Sequence, residues 1–119
     1  MQDLYDKRSE LVKHLNESII KKQKLGKIYA EAEYKYKTER TKLMAKMMII
    51  GYETENGLTK PIAATAVYNM AQGDKEVAKL KYGRDLAMYE MDVVQENIYS
   101  LKLQINIIEN DLKNIRKGV

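Results

Sequence analysis

A long run of residues at alternating spacings of three and four is the feature that most constrains the fold of this chain. Such spacing marks the a and d positions of a heptad, and over this length it predicts a long helix in a coiled coil or bundle. One member, Arg84, is charged. We expect it either to set register or oligomeric state, or to pair with an acid on a neighbouring helix. This seam consists of Val77, Leu80, Arg84, Ala87, Met91, Val94, Ile98, Leu101, Ile105, Ile108, Leu112 and Ile115.

The first half of the chain carries a second helical pattern. From Leu4 to Ile50, apolar residues recur at three, four or their sums, and the residues between them are mostly good helix formers without proline. Gly26 is a weak point at which this helix can bend. Lys22 and Arg40 lie close to the apolar stripe, where we expect them to reach water or meet an acidic neighbour.

The segment between the two patterns predicts a turn followed by a short helix. Gly51 can cap the first helix and Asn56-Gly57 is a turn dipeptide, so a turn is favoured over a small β-hairpin. Thr59-Lys60-Pro61 has the form of a helix start, and Asp74 is the predicted N-cap of the long helix. The predicted organisation is one helical domain over residues 1–119, with helix 3–50, turn 51–59, short helix 60–72 and long helix 75–116.

The long helix has a second apolar line at its c and f heptad positions, away from the seam. A two-helix hairpin would leave this line in water, so it indicates contact with the short helix or with a second subunit. We therefore predict an all-α fold: a long antiparallel helical hairpin with a short connecting helix, assembling into an oligomeric helical bundle. The predicted oligomer interface is the c/f line, formed by Tyr82, Leu86, Tyr89, Val93, Leu103 and Ile107.

Composition agrees with long helices that have solvated faces. Charged residues make up 32% of the chain, and all nine aromatic residues are tyrosine. With no cysteine there is no disulfide framework, and neither a signal peptide nor a membrane-spanning run is recognisable. We expect a soluble cytoplasmic protein. Residues 1–50 hold twelve Lys/Arg and seven Asp/Glu, so the basic excess belongs to the first helix.

Several stretches resemble a family of small helical proteins encoded in early gene regions of Gram-positive tailed phages and prophages. They are residues 73–81, beginning Gly73-Asp74-Lys75-Glu76, then Arg84-Asp85-Leu86-Ala87, Tyr89, Leu101-Lys102-Leu103, and upstream Ala30 to Lys37. The resemblance covers about residues 30–112. It implies an accessory role in a bacterial host cell, close to replication and recombination genes, and it implies no catalytic residues.

The basic face of the first helix is the candidate nucleic-acid site. Lys13, Lys21, Lys24, Lys35, Lys42 and Lys46 fall within a sector of about 80° on a helical wheel. Lysines can neutralise phosphates and an exposed tyrosine can stack on an unpaired base, which adds Tyr34 to the set. The alternative is the ordinary solvated face of an amphipathic helix, interrupted by Glu17 and Glu31.

Other chemistry finds little support. His14 and Glu10 form one i, i+4 pair, whereas a helical di-metal site needs two such sets, so no metal or other cofactor is expected. A nucleophile with a base is not recognisable, and we expect no enzyme. Met44, Met47 and Met48 are either an adaptable protein-binding surface or, by preference, core against the short helix.

The functional prediction is a non-enzymatic interaction or structural accessory protein, phage- or prophage-encoded, acting as a homo-oligomer through its helical surfaces. The alternative is a nucleic-acid-binding accessory factor in phage DNA replication or recombination that uses Lys21, Lys24, Lys35, Lys42, Lys46 and Tyr34. The expected partners are a second copy of the chain and either nucleic acid or another phage or host protein, with no membrane.

Overall fold

The computed structural model describes residues 2–50, 52–53, 59–60 and 63–118. The elements are α1 (Gln2–Ile50), β1 (Tyr52–Glu53), β2 (Thr59–Lys60), α2 (Ala64–Gly73) and α3 (Lys75–Arg116). The predicted all-α class, two long helices joined by a short one, is confirmed. The chain divides into two compact units. The terminal unit comprises Met1–Lys27 and Met88–Val119, and the middle unit comprises Ile28–Ala87.

In the terminal unit, α1 and α3 pack antiparallel along the predicted seam. Leu11 of α1 lies in one buried cluster with Leu101, Ile105, Ile108 and Leu112. Further along α1, Leu25 packs with Val94 and Ile98, which come earlier in α3. Rising numbers in α1 thus meet falling numbers in α3, as an antiparallel pair requires. The a/d pattern from residue 94 to residue 112 is the core of this unit.

Helix α1 continues through Gly26 without a break. A Cβ added at Gly26 would lie 3.9 Å from Met91 Cε, an ordinary van der Waals separation. The glycine is therefore not needed for close packing. Nearby, Lys22 hydrogen-bonds Gln95 rather than an acidic residue.

In the middle unit, α2 buries small side chains. Val67 and Ala71 are completely shielded from solvent, as is nearly all of Tyr36 on α1. Helix α3 contributes Val77 and Ala87 to the buried residues of this unit. The small alanine side chains of α2 allow neighbouring helices to pack closely against it.

Asp74 joins α2 to α3 without a loop. Its backbone N–H donates to the carbonyl of Ala71, 3.2 Å away, and closes the end of α2. Its carboxylate Oδ2 accepts hydrogen bonds from the backbone N–H groups of Glu76 and Val77, both at 3.1 Å. Asp74 is therefore the N-cap that the sequence predicts for α3.

The connection between α1 and α2 differs from the prediction. Instead of a simple turn, β1 and β2 form an antiparallel pair with Tyr52 opposite Lys60 and Glu53 opposite Thr59. Thr59 and Lys60 are therefore strand residues, and the predicted helix start there is wrong. Their backbone groups serve the strand pair, and α2 begins only at Ala64, after Ala63 in extended conformation. Pro61 and the predicted Asn56-Gly57 turn lie outside the described residues.

Candidate functional site

The c/f line of α3 is exposed at every position. The exposed fraction is 68% at Tyr82, 43% at Leu86, 66% at Tyr89, 51% at Val93, 62% at Leu103 and 53% at Ile107. The contrast with the seam is sharp, because Leu101, two residues before Leu103, is only 8% exposed. The first two members belong to the middle unit and the last four to the terminal unit. Neither unit covers its part of the line, and the interface role of the six residues stays a prediction.

The middle unit also contains a cluster of polar contacts around Tyr36. The Tyr36 hydroxyl donates to Gln72 Oε1 at 2.7 Å and accepts from Arg40 Nη1 at 3.2 Å. Two guanidinium groups approach the ring: that of Arg84 lies 4.7 Å from its centroid and that of Arg40 lies 5.0 Å away. These contacts bring α1, α2 and α3 together at one buried phenol. We call these four residues the tyrosine clamp.

Charge and burial oppose each other at the Tyr36 phenol. Burial raises its pKa, but the hydrogen bonds with Arg40 and Gln72 and the positive charges of Arg40 and Arg84 outweigh this effect. The net result is a lowered pKa for Tyr36. Arg40 also lies over Tyr68, 5.6 Å from the ring centroid, so it contacts aromatic rings where the sequence suggested water or an acid.

Arg84 is the charged seam residue, and it has acidic partners on two helices. Its Nη2 lies 2.8 Å from Asp85 Oδ1 on α3, and its Nη1 lies 4.0 Å from Glu33 Oε1 on α1. The hydrogen bond to Asp85 is the main reason that the pKa of Arg84 is raised. The expected pairing with an acid on the neighbouring helix is thus present, although the bond to Asp85 is closer. The sequence did not indicate the stacking on Tyr36.

The candidate nucleic-acid residues are all exposed. Lys21 and Lys24 belong to the terminal unit, while Lys35, Lys42, Lys46 and Tyr34 belong to the middle unit. Lys42 Nζ lies 3.6 Å from Glu39, which partly offsets its charge. Tyr34 is 72% exposed while Tyr36 is buried, so Tyr34 is the aromatic residue of this group that is available for stacking. Nucleic-acid binding by these residues stays a prediction.

Other candidate chemistry is sparse. His14 lies 3.7 Å from Glu10 and 3.6 Å from Glu17, with all three side chains exposed. Among the described residues, no group of three or more His, Cys, Asp or Glu side chains is arranged to hold a metal ion. Of the three methionines near the end of α1, Met48 is 55% exposed, while Met44 and Met47 are half-buried. With Arg40 and Tyr68, Met44 and Met48 line a shallow groove.

Comparisons with protein families, with curated proteins and with solved structures give no match. Within the described part of the chain, none of the helices has a segment long and apolar enough to cross a membrane.

Proposed function

We propose that this chain is a non-enzymatic interaction protein that binds a second copy of itself through the c/f line of α3. The observation that carries the proposal is the exposure of all six apolar members of that line. Scattered exposed apolar residues are common on proteins, but four in succession at spacings of four and three, with a further pair on the same line, are typical of a helix-packing face. The resemblance to phage and prophage proteins supplies the proposed setting, an accessory role in the cytoplasm of a bacterial host.

The chemistry of the line supports a second copy as the occupant. Its members are tyrosine, leucine, valine and isoleucine, which pack against copies of themselves and need no complementary charge from a different protein. Burial of a half-exposed Leu, Ile or Val is worth roughly 1 kcal/mol, so several such residues on each protomer together offset a typical cost of association. We expect a weak dimer, because little of this gain remains once the cost of association is met.

The test uses two isoleucines that are equally exposed. Ile107 on the c/f line and Ile20 on α1 each expose 53% of their surface in the terminal unit. Ile107→Glu should shift the protein to monomer because a carboxylate cannot be buried in an apolar contact. Ile20→Glu, the matched control, should dimerise like the wild type. Sedimentation velocity from about 1 µM to several hundred micromolar measures both.

Two results would contradict self-association through this line. One is a wild-type protein that stays monomeric at every concentration. The other is equal behaviour of the two variants, which would show that position on α3 is irrelevant. Circular dichroism of each variant confirms that helicity is kept.

A second candidate function is binding of nucleic acid by the lysines of α1. It is favoured by the exposure of Lys21 and Lys24 in the terminal unit and of Lys35, Lys46 and Tyr34 in the middle unit. Contacts to several phosphates make affinity fall steeply with salt. Fluorescence anisotropy with labelled single- and double-stranded oligonucleotides at about 50 and 200 mM salt measures this dependence.

Charge reversal on each long helix distinguishes binding by the lysines of α1 from a nonspecific effect of net charge. If α1 binds nucleic acid, a variant with Lys21, Lys24, Lys35 and Lys42 changed to Glu should lose affinity. The matched control changes the exposed Lys75, Lys79, Lys102 and Lys113 of α3 to Glu, an identical change in net charge. Equal losses in both variants would rule out a specific face on α1.

A further inference from the structure

The outward face of α3 in the terminal unit has a symmetric pattern. We call its six successive c and f positions the 89–107 face: Tyr89, Val93, Glu96, Ser100, Leu103 and Ile107. All six are exposed. Their spacings are four, three, four, three and four, and the order of types is apolar, apolar, polar, polar, apolar, apolar from either end. This palindromic pattern is centred on position 98, which is occupied by Ile98.

A pattern of this kind matches itself when two helices run antiparallel. In an antiparallel helix pair, each layer holds one residue from each chain, and the two residue numbers add to a constant. With a two-fold axis beside Ile98, Tyr89 lies beside the partner's Ile107 and Val93 lies beside the partner's Leu103. Every apolar residue of the face then meets an apolar residue, as an isologous contact requires.

The charges of the face distinguish antiparallel from parallel pairing. In the antiparallel register, Glu96 lies beside the partner's Ser100. A parallel pair in register would place Glu96 beside the partner's Glu96, which is unfavourable in the centre of an apolar contact. The one charged residue on this face therefore favours antiparallel packing.

The flanking positions are compatible with the antiparallel orientation. Two rows flank the face, one at positions 90, 97 and 104 and the other at positions 92, 99 and 106. In an antiparallel pair each row lies opposite the same row of the partner, so its facing residue numbers add to 194 or 198, slightly off the 196 of the face itself. The exposed Asp92 then faces the partner's Asn106, and the exposed Glu90 faces the partner's Gln104. Tyr99, which is 59% exposed, lies at the axis and faces its own copy. Each flanking carboxylate meets an amide, and no acid meets an acid.

We infer that two copies of this chain pair antiparallel through the 89–107 face, with the two-fold axis beside Ile98. The inference rests on the proposed self-association and adds its orientation and register. The occupant is a second copy because the face is complementary to itself in polarity and, in this register, places no two carboxylates opposite each other.

Cysteine cross-linking tests the register, since the chain has no cysteine of its own. Val93→Cys and Leu103→Cys are made separately, and each alone, or an equal mixture of the two, is treated with a short bismaleimide cross-linker. The inferred register places position 93 beside the partner's position 103. The mixture should therefore give several-fold more cross-linked dimer on denaturing gels than either variant alone.

Ser100→Lys provides an independent test, because the expected change in dimer affinity has opposite signs for the antiparallel and parallel orientations. In the antiparallel register the new ammonium lies beside the partner's Glu96, and the dissociation constant should fall several-fold. In a parallel pair two lysines would lie side by side, and dimerisation would weaken. Sedimentation velocity measures the change.

Three outcomes distinguish a failure of the antiparallel register from a failure of self-association itself. Preferential cross-linking in the mixture together with tighter dimerisation of Ser100→Lys supports the antiparallel register. Cross-linking of each single variant with itself, while the wild type still dimerises, overturns the register and leaves self-association standing. A wild-type chain that stays monomeric by sedimentation overturns both.

Discussion

Leu101 and Leu103 provide a test of the heptad assignment on which the terminal unit depends. Both are leucines on α3, two residues apart, but Leu101 is 8% exposed and Leu103 is 62% exposed. Leu101 packs with Leu11, Ile105 and Ile108 in a buried cluster. Truncation of a core leucine to alanine leaves a cavity and costs about 2–5 kcal/mol of unfolding free energy. Truncation of an exposed leucine changes stability by about 0.5 kcal/mol or less, since alanine is the best helix former.

We therefore expect Leu101→Ala to unfold at least roughly 6 °C below Leu103→Ala, taking about 4 °C for each kcal/mol. Circular dichroism at 222 nm follows unfolding by heat and by urea. The comparison belongs at low micromolar protein, where a weak dimer dissociates. Higher concentration should then stabilise the wild type but not Leu103→Ala, because only the folded chain self-associates. Equal losses of stability for the two substitutions at low concentration would refute the assignment of position 101 to the core.

Three further predictions concern single positions. Tyr36→Phe should cost about 1–3 kcal/mol at neutral pH, since it deprives the half-buried Gln72 and Arg40 of their hydrogen bonds to the phenol. The lowered pKa of Tyr36 adds stability that is complete above the unfolded value near 10 and is lost as pH falls through the folded pKa. Urea titrations should therefore show the cost of Tyr36→Phe growing as pH rises to about 10. Asp74→Ala should cost about 1 kcal/mol in thermal unfolding by removing the cap of α3, and Asp74→Asn should restore most of it. Gly26→Ala should raise the unfolding free energy in urea by roughly 0.5–1 kcal/mol, and a loss would show that Met91 cannot accommodate the methyl group.

The long helices could be predicted because their signal is repeated many times. From Val94 to Leu112 each a/d position reports the same face, so single exceptions do not change the assignment. The start of α3 was also readable, since an N-cap depends on only the next few residues of the chain. In contrast, the pairing of Tyr52 with Lys60 depends on chain closure over a short segment and has no periodic signal. A two-residue strand is too short to show one.

The candidate surface was predictable for the same reason, while the tyrosine clamp was not. Helical geometry alone places Leu103 and Ile107 away from the seam, and the structure shows both exposed. The contact of Tyr36 with Gln72, by contrast, depends on where α2 packs along α1 in the middle unit. Spacing within one helix carries no information about that alignment, so the sequence does not indicate the contacts of Tyr36.

The tyrosine clamp also explains how the seam tolerates a charge. Arg84 keeps 20% of its side chain exposed, binds Asp85 and lies over the face of the Tyr36 ring, so its guanidinium is neither stripped of water nor left without an acid. A charge held in this way costs far less than one buried among leucines. Arg84 therefore requires no second subunit to satisfy it. The proposed self-association uses instead the exposed 89–107 face, where apolar side chains of the terminal unit lie in water.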